Sequence, residues 1–252
     1  LSADLQYSDY RHTEWGVTEQ GREAEARFDI EQLDLRSEAL YQISDANQGA
    51  LGLQYGERRS EVAAEQPLTP QSTTRSGGLF WLGEWQLEPL RLELGGRLDW
   101  QNIDVSGRPE RDDDGLVNLS AALILNRPAD NSWLPRAAVR LDRSERAPTA
   151  EELYSDGFHA ATNAVELGSD TLDSERALNG EVNLRWSLAT RSQRRIELEA
   201  TLYRNQFSRF TYLAAITNSD GWQHYSVDTE SCSNNLADFD GLAELYEQAP
   251  RC

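Results

Sequence analysis

Methionine is absent from this 252-residue chain, cysteine occurs twice and histidine three times. So few sulfur and imidazole side chains, with no H-x-x-x-H or C-x-x-C spacing, exclude a zinc finger or a dithiol redox motif. No G-x-S-x-G elbow occurs and no serine stands where a neighbour would activate it, which argues against a hydrolase and against an enzyme generally. No apolar run approaches the roughly 18 residues that make a membrane-spanning helix, which leaves strands as the way such a chain would cross a bilayer. Basic residues are outnumbered, 24 against 43 acidic, and a net charge of −19 suits neither DNA nor RNA as a partner. The chain starts without a methionine or a signal peptide and opens in a strand-like stretch, so it is expected to be a segment of a larger protein. Cys232 and Cys252 lie late and near one another along the chain. In an oxidising compartment they are expected to form a loop disulfide, with free thiols as the alternative.

What the sequence does contain is alternation. Leu90, Leu92, Leu94, Leu98 and Trp100 fall on one face of a strand, and Arg91, Glu93, Arg97 and Asp99 on the other. Val117 to Leu125, residues 134–146, Val182 to Leu188 and Ile196 to Leu202 repeat the pattern, with turns at Pro128–Ser132 and Thr190–Gln193. Earlier strands are expected at Ala3–Tyr10, Ala24–Ile43, Gly49–Arg59 and Leu79–Leu87. In Ala24–Ile43 the apolar parity switches near Glu31, which suggests a bulge or two strands. Pro67–Gly78, rich in Thr, Ser and Gln, reads as a long loop. About ten strands fit, of roughly 9 to 11 residues or more. A soluble sandwich would alternate in the same way. The tight Glu88-Pro89 turn before Leu90–Trp100, and the long connection through Gly107-Arg108-Pro109 and Asp112-Asp113-Asp114 after it, match the short turns and long loops of a membrane barrel. In a barrel Leu92, Leu94, Leu98, Val182, Leu184 and Trp186 would face lipid, and Trp100 and Trp133 would sit in an interfacial girdle. The Asp triplet lacks an EF-hand register and reads as a solvated loop rather than a Ca²⁺ site.

The stretch from Arg140 to Trp186 carries the most specific pattern. An alternating strand runs into Ala147-Pro148, where a proline cannot continue a ladder. Thr149 is placed to cap a short helical turn reaching Tyr154, with Glu151 and Glu152 in its first turn and Gly157 as its stop. The segments Arg146-Ala147-Pro148, Glu152-Leu153-Tyr154, Gly157, His159, Ala161-Thr162, Glu166, Gly168, Leu172 and Glu175 resemble the barrel of TonB-dependent outer-membrane receptors. Two shorter stretches, Tyr7 to His12 and Gly49 to Tyr55, resemble the zinc-uptake branch of that family. The resemblance extends over most of residues 1 to 212.

It implies an all-β fold: a segment, residues 1–252, of an antiparallel transmembrane β-barrel in the outer membrane of a Gram-negative bacterium. It implies a plug domain outside this chain and, through the plug, energy from the TonB–ExbB–ExbD complex. The partners would then be outer-membrane lipid and a metal or metal-chelate cargo, with no tightly bound cofactor. Zinc is the expected cargo, and a ferric siderophore or haem the alternative. Imidazole and carboxylate suit Zn²⁺, so His159 with Asp156 and Glu166, and then His12 and His224, are the candidate ligands, against a reading of the three histidines as ordinary surface residues. A soluble or cell-surface β-sandwich binding module is the alternative from another class.

Overall fold

A computed structural model describes residues 1–18, 21–64, 67–125, 135–159, 164–189, 195–217 and 223–230. The strands in chain order are β1 (Ser2–Thr18), β2 (Gly21–Ser44), β3 (Asn47–Ala64), β4 (Ser72–Leu87), β5 (Leu90–Val105), β6 (Arg111–Leu125) and β7 (Arg136–Arg146). A helical turn, α1 (Ala150–Tyr154), and two short strands, β8 (Asp156–His159) and β9 (Ala164–Leu167), follow. The chain then returns as β10 (Glu175–Ala189), β11 (Arg195–Ser208), β12 (Phe210–Thr217) and β13 (Gln223–Glu230). Nine strands form one antiparallel sheet in the order β1-β2-β3-β4-β5-β6-β7-β10-β11. This is an up-and-down meander in which only the β8–β9 excursion interrupts the pairing of sequence neighbours. A second sheet, β12-β13-β9-β8, gathers the excursion and the chain's later strands. The large sheet does not close on itself among the described residues; β1 and β11 are its edges.

Residues directly opposite one another across a ladder share a face. The row Trp85, Leu92, Leu123, Val139, Val182, Leu202 therefore crosses six strands on one side. The row beside it, Glu84, Glu93, Ala122, Arg140, Glu181, Tyr203, crosses the same strands on the other. Leu53, Leu79, Leu98 and Val117 form a further apolar row, and Trp186 lies opposite Leu198. The sheet is thus a wall with one apolar and one polar face, as the alternation of the sequence requires. At one end the connections span 45–46, 88–89, 126–135 and 190–194, and at the other 19–20, 65–71, 106–110 and 147–174, so the longest one, the excursion, leaves from the second end.

The strands run from 11 to 24 residues in the nine-stranded sheet, within the open-ended expectation of roughly 9 to 11 or more. At about 3.3 Å per residue, β2 alone is extended over roughly 80 Å, far beyond a hydrocarbon core of about 30 Å. Several expectations need correction. Ser72–Gly78 belongs to β4 rather than to a loop, since β-branched Thr73 and Thr74 pair readily with Arg59 and Arg58. Asp112, Asp113 and Asp114 lie in β6: Asn102 donates to Asp112 and Arg111 pairs with Asp113 at 2.8 Å. The connection before them is shorter than expected. Gly115, at φ +72°, is the extra residue of a bulge between Asp114, opposite Trp100, and Leu116, opposite Asp99.

There is no bulge near Glu31, because β2 keeps register with β1 from Glu38 to Ala26 and slips only beside Trp15. The parity switch has another cause. Above the apolar band the outer face turns charged, with Asp29 and Glu31, while Phe28 and Ile30 pair on the inner face with His12 and Tyr10. The expected turns at 128–132 and 190–193, Trp133, Thr162 and the Cys232–Cys252 pair lie outside the described residues.

Candidate functional site: the excursion between β7 and β10

Pro148, with no N–H to donate, ends β7 and is fully buried. Thr149 then caps α1 as anticipated. Its hydroxyl accepts the Glu152 N–H at 3.3 Å, and the Glu152 carboxylate accepts the Thr149 N–H at 2.8 Å, a reciprocal capping box. The turn ends at Ser155, whose N–H and hydroxyl both donate to the Glu151 carbonyl; Gly157 lies beyond, inside β8. Leu153 and Tyr154 pack on Ile103 and Val105 of β5, with Ala150 and Leu172 completing a dry cluster. Ile103 and Val105 share parity with Arg97 and Asp99, so α1 sits on the inner, polar side of the wall, above the apolar band. Burying a leucine or aromatic side chain there contributes roughly 1.5 to 3 kcal/mol each.

Arg146 ties the excursion to the wall. Its guanidinium donates to both Glu152 oxygens, at 2.8 and 3.0 Å, and through Nε to Glu175 at 2.6 Å. Glu175 in turn accepts the Thr211 N–H at 2.6 Å, which brings the start of β12 into the same knot. The bonds to Glu152 and then Glu175 outweigh burial and push Arg146 further above its ordinary pKa. Burial alone would raise Glu152, but the Arg146 guanidinium and the Thr149 N–H together hold it below the usual carboxylate range. Around this knot Arg58 pairs with Glu151 at 2.8 Å, Gln101 donates to the Pro148 carbonyl at 2.8 Å, and Arg111 donates to the Leu172 carbonyl at 2.7 Å. Gly168 and Gly157 are points of close approach. A Cβ on Gly168 would stand 2.6 Å from the Leu153 carbonyl carbon, and one on Gly157 would stand 2.9 Å from the Leu68 backbone.

The five candidate metal ligands do not all converge. His159 pairs with Ala164 and Glu166 with Gly157, positions of one face of the β8–β9 ladder; Asp156, opposite Leu167, belongs to the other face. His224 pairs with Val165 from the neighbouring strand β13, so it stands beside the excursion. His12 is elsewhere, on β1, stacked on Phe28 with centroids 4.3 Å apart and its Nε2 3.9 Å from Glu14. Among the described residues no three His, Cys, Asp or Glu side chains meet to hold a metal.

A second knot sits on the outer face. Beyond the pair Leu119 and Arg143 the β6–β7 ladder stops, and side chains take over its backbone groups. Glu145 accepts the Val117 N–H at 2.8 Å, Asn118 accepts the Glu145 N–H at 2.8 Å, and Arg143 donates to the Val117 carbonyl at 2.6 Å. Arg143 and Arg176 both grip Glu145, at 2.6 and 2.8 Å. Sequence reasoning missed both knots. The capping box was readable from Thr149 and Glu152, and Arg143 and Glu145 fall on the odd, apolar phase of β7, which marks where the band ends.

Residues 1–233 match the family model described as TonB dependent receptor-like, beta-barrel. The chain belongs to this family. The receptor barrel is also similar to solved structures. One is the hemophore receptor HasR of Serratia marcescens, with its hemophore HasA and heme, at 14% identity and a TM-score of 0.67 over 92% of this chain and 41% of that one. Another is the copper transporter OprC, at 17% identity and a TM-score of 0.64 over 82% of this chain and 34% of that one. A third is the alcaligin receptor FauA of Bordetella pertussis, at 15% identity and a TM-score of 0.55 over 91% and 37%. The chain thus spans about two fifths or less of these structures. The family places it in the Gram-negative outer membrane, and no described helix is long and apolar enough to cross a membrane.

Proposed function

We propose that this chain is part of the barrel of a TonB-dependent receptor that takes up a scarce metal, with zinc as the cargo. The observation that carries the uptake reading is the two-faced wall of a family barrel, apolar on one side and lined on the other by Glu84, Glu93, Asp99 and Glu181 interspersed with Arg91, Arg97 and Arg140. A chain of net charge −19 concentrates cations and repels anions at its mouth. Energy would come from the TonB–ExbB–ExbD complex acting through a plug within the barrel. Supporting zinc are the local matches at Tyr7–His12 and Gly49–Tyr55, and the register positions of His159 and Glu166 on one face of β8–β9, with His224 one strand away. The knot of Arg146 holds this small ladder at the extracellular end, where cargo first arrives. One imidazole and one carboxylate make a weak first site whose affinity falls in acid, as protons compete with the metal for the ring.

Calorimetry of Zn²⁺ binding to the full-length receptor tests this, with His159→Ala against wild type at pH about 7.5 and about 5.5. The expected result is about tenfold weaker binding in the variant and in acid. Unchanged affinity in both comparisons would remove zinc and leave a ferric chelate or haem as the cargo to test.

A further inference from the structure

All 24 basic residues of this acidic chain are arginines. Three of them cluster on the outer face at the upper edge of the apolar band. Arg143 lies directly between Leu119 and Leu178 in its row, and Arg176 lies opposite Glu145 in the row above. Arg204 lies opposite Gly180 in the row below. With one carboxylate among them, Glu145, the patch carries a net charge of +2. Its guanidiniums are anchored but not used up: Arg176 gives Nε and Nη2 to Glu145, and among the described residues its Nη1 donors are left over.

Immediately beneath is an interruption in the side-chain surface. A Cβ on Gly180 would touch nothing closer than Leu141 Cδ2, at 3.5 Å. Leu178 and Val182 stand above and below it in the same strand, Leu141 on one flank and Arg204 on the other. These side chains are exposed, Leu141 and Leu178 by 59% and 57%. The result is a shallow apolar groove that leads upward into a cationic bracket, at the height where the wall changes from leucine to charge.

We propose that this patch binds a phosphate-bearing lipid of the outer leaflet, with the phosphate on Arg143, Arg176 and Arg204 and an acyl chain lying along Gly180. Arginine suits the task, because its planar fork offers paired donors to phosphate oxygens while its stem lies on apolar surface. The proposal rests on the outer-membrane reading of the apolar face. Net positive charge here, on a protein of −19, selects an anionic headgroup, and the groove selects a lipid over a free anion.

The test uses the full-length receptor in phosphatidylcholine nanodiscs doped with phosphatidic acid, or with diacylglycerol of the same chains, followed by native mass spectrometry of the lipid retained. Wild type should retain phosphatidic acid about tenfold over diacylglycerol, since ionised pairs are the stronger hydrogen bonds. Arg204→Gln should reduce that preference severalfold without disturbing Glu145. Gly180→Leu, which fills the groove and leaves every guanidinium in place, should lower retention as well. Equal retention of the two lipids, or a preference unchanged in both variants, overturns the proposal. So does displacement by inorganic phosphate, which would mark a free-anion site. A wild-type receptor that fails to enter the nanodisc would instead refute the barrel reading itself.

Discussion

Removing Arg146 should loosen the excursion while leaving the wall intact. In Arg146→Ala two carboxylates lose their common cation, although Glu152 keeps the Thr149 N–H and Glu175 keeps the Thr211 N–H. Hydrogen bonds to charged groups are worth about 1.5 to 3 kcal/mol each, so the two partners give a gross effect of roughly 3 to 6 kcal/mol. The guanidinium is 44% exposed, however, and water and salt replace much of what is lost. About 2 kcal/mol remains, equivalent to roughly a thirtyfold rise in the local opening constant. Hydrogen exchange on the full-length receptor in detergent reads this directly at Leu153, Ser155, Gly168 and Ser169, whose N–H groups donate within the excursion. Those amides should exchange about thirtyfold faster, and the amides of the β5–β6 ladder should not change. Unaltered exchange in α1, or faster exchange through the whole sheet, would refute a local clamp.

Acid should release the same knot. Glu152 is held below its ordinary pKa of 4.5, so its contribution is fully present above that value and is lost as pH falls through the lower, folded value. Protection of the α1 amides should be flat from neutral pH down to the ordinary glutamate range and fall below it, and Glu152→Gln should abolish that dependence; an identical acid profile in the variant would assign it to another group. Leu94→Arg places a charge on the apolar face and should cost roughly 2 to 4 kcal/mol in a bilayer. Glu93→Arg, on the other face, gives up the partly exposed pair with Arg91 at 2.8 Å but also its like-charge neighbour Glu84, and should cost about 1 kcal/mol or less. Thermal unfolding in detergent that ranks the two equally would contradict the assignment of faces.

The wall was legible in the sequence because one rule governs it. Wherever both faces meet uniform surroundings, as from Leu90 to Trp100 or from Val182 to Trp186, alternation alone fixes which residues stand together. Reading failed where the surroundings change along a strand. Phe28 and Ile30 keep their ladder register but become the apolar side once the outer face rises above the band, and this looked like a slip near Glu31. The Asp triplet looked like a loop because charge was read as solvent, while Asn102 and Arg111 hold Asp112 and Asp113 in a strand. In the excursion the capping residues Thr149 and Glu152 could be read locally. Their grip on Arg146 and Glu175 could not, since it depends on β7 and β10 lying side by side 29 residues apart. For the same reason the spacing of the histidines said nothing about which would be neighbours: the ladder places His159 and Glu166 on one face, Asp156 on the other, and His12 on a distant strand.

The central claim, that one face of the nine-stranded sheet meets lipid and the other the barrel interior, is tested most directly by spin labels along β5. In a full-length receptor with Cys232 and Cys252 replaced by serine, single cysteines at Arg91, Leu92, Glu93, Leu94, Arg97 and Leu98 would carry the label in turn, in liposomes. Collision with oxygen, which dissolves in the bilayer, should be high at Leu92, Leu94 and Leu98, and collision with a water-soluble nickel chelate should be higher at Arg91, Glu93 and Arg97. A period of two in that phase is what a barrel wall requires. The opposite phase, or no alternation, would mean that the leucine face packs against protein and that the sheet is not the wall of a membrane barrel.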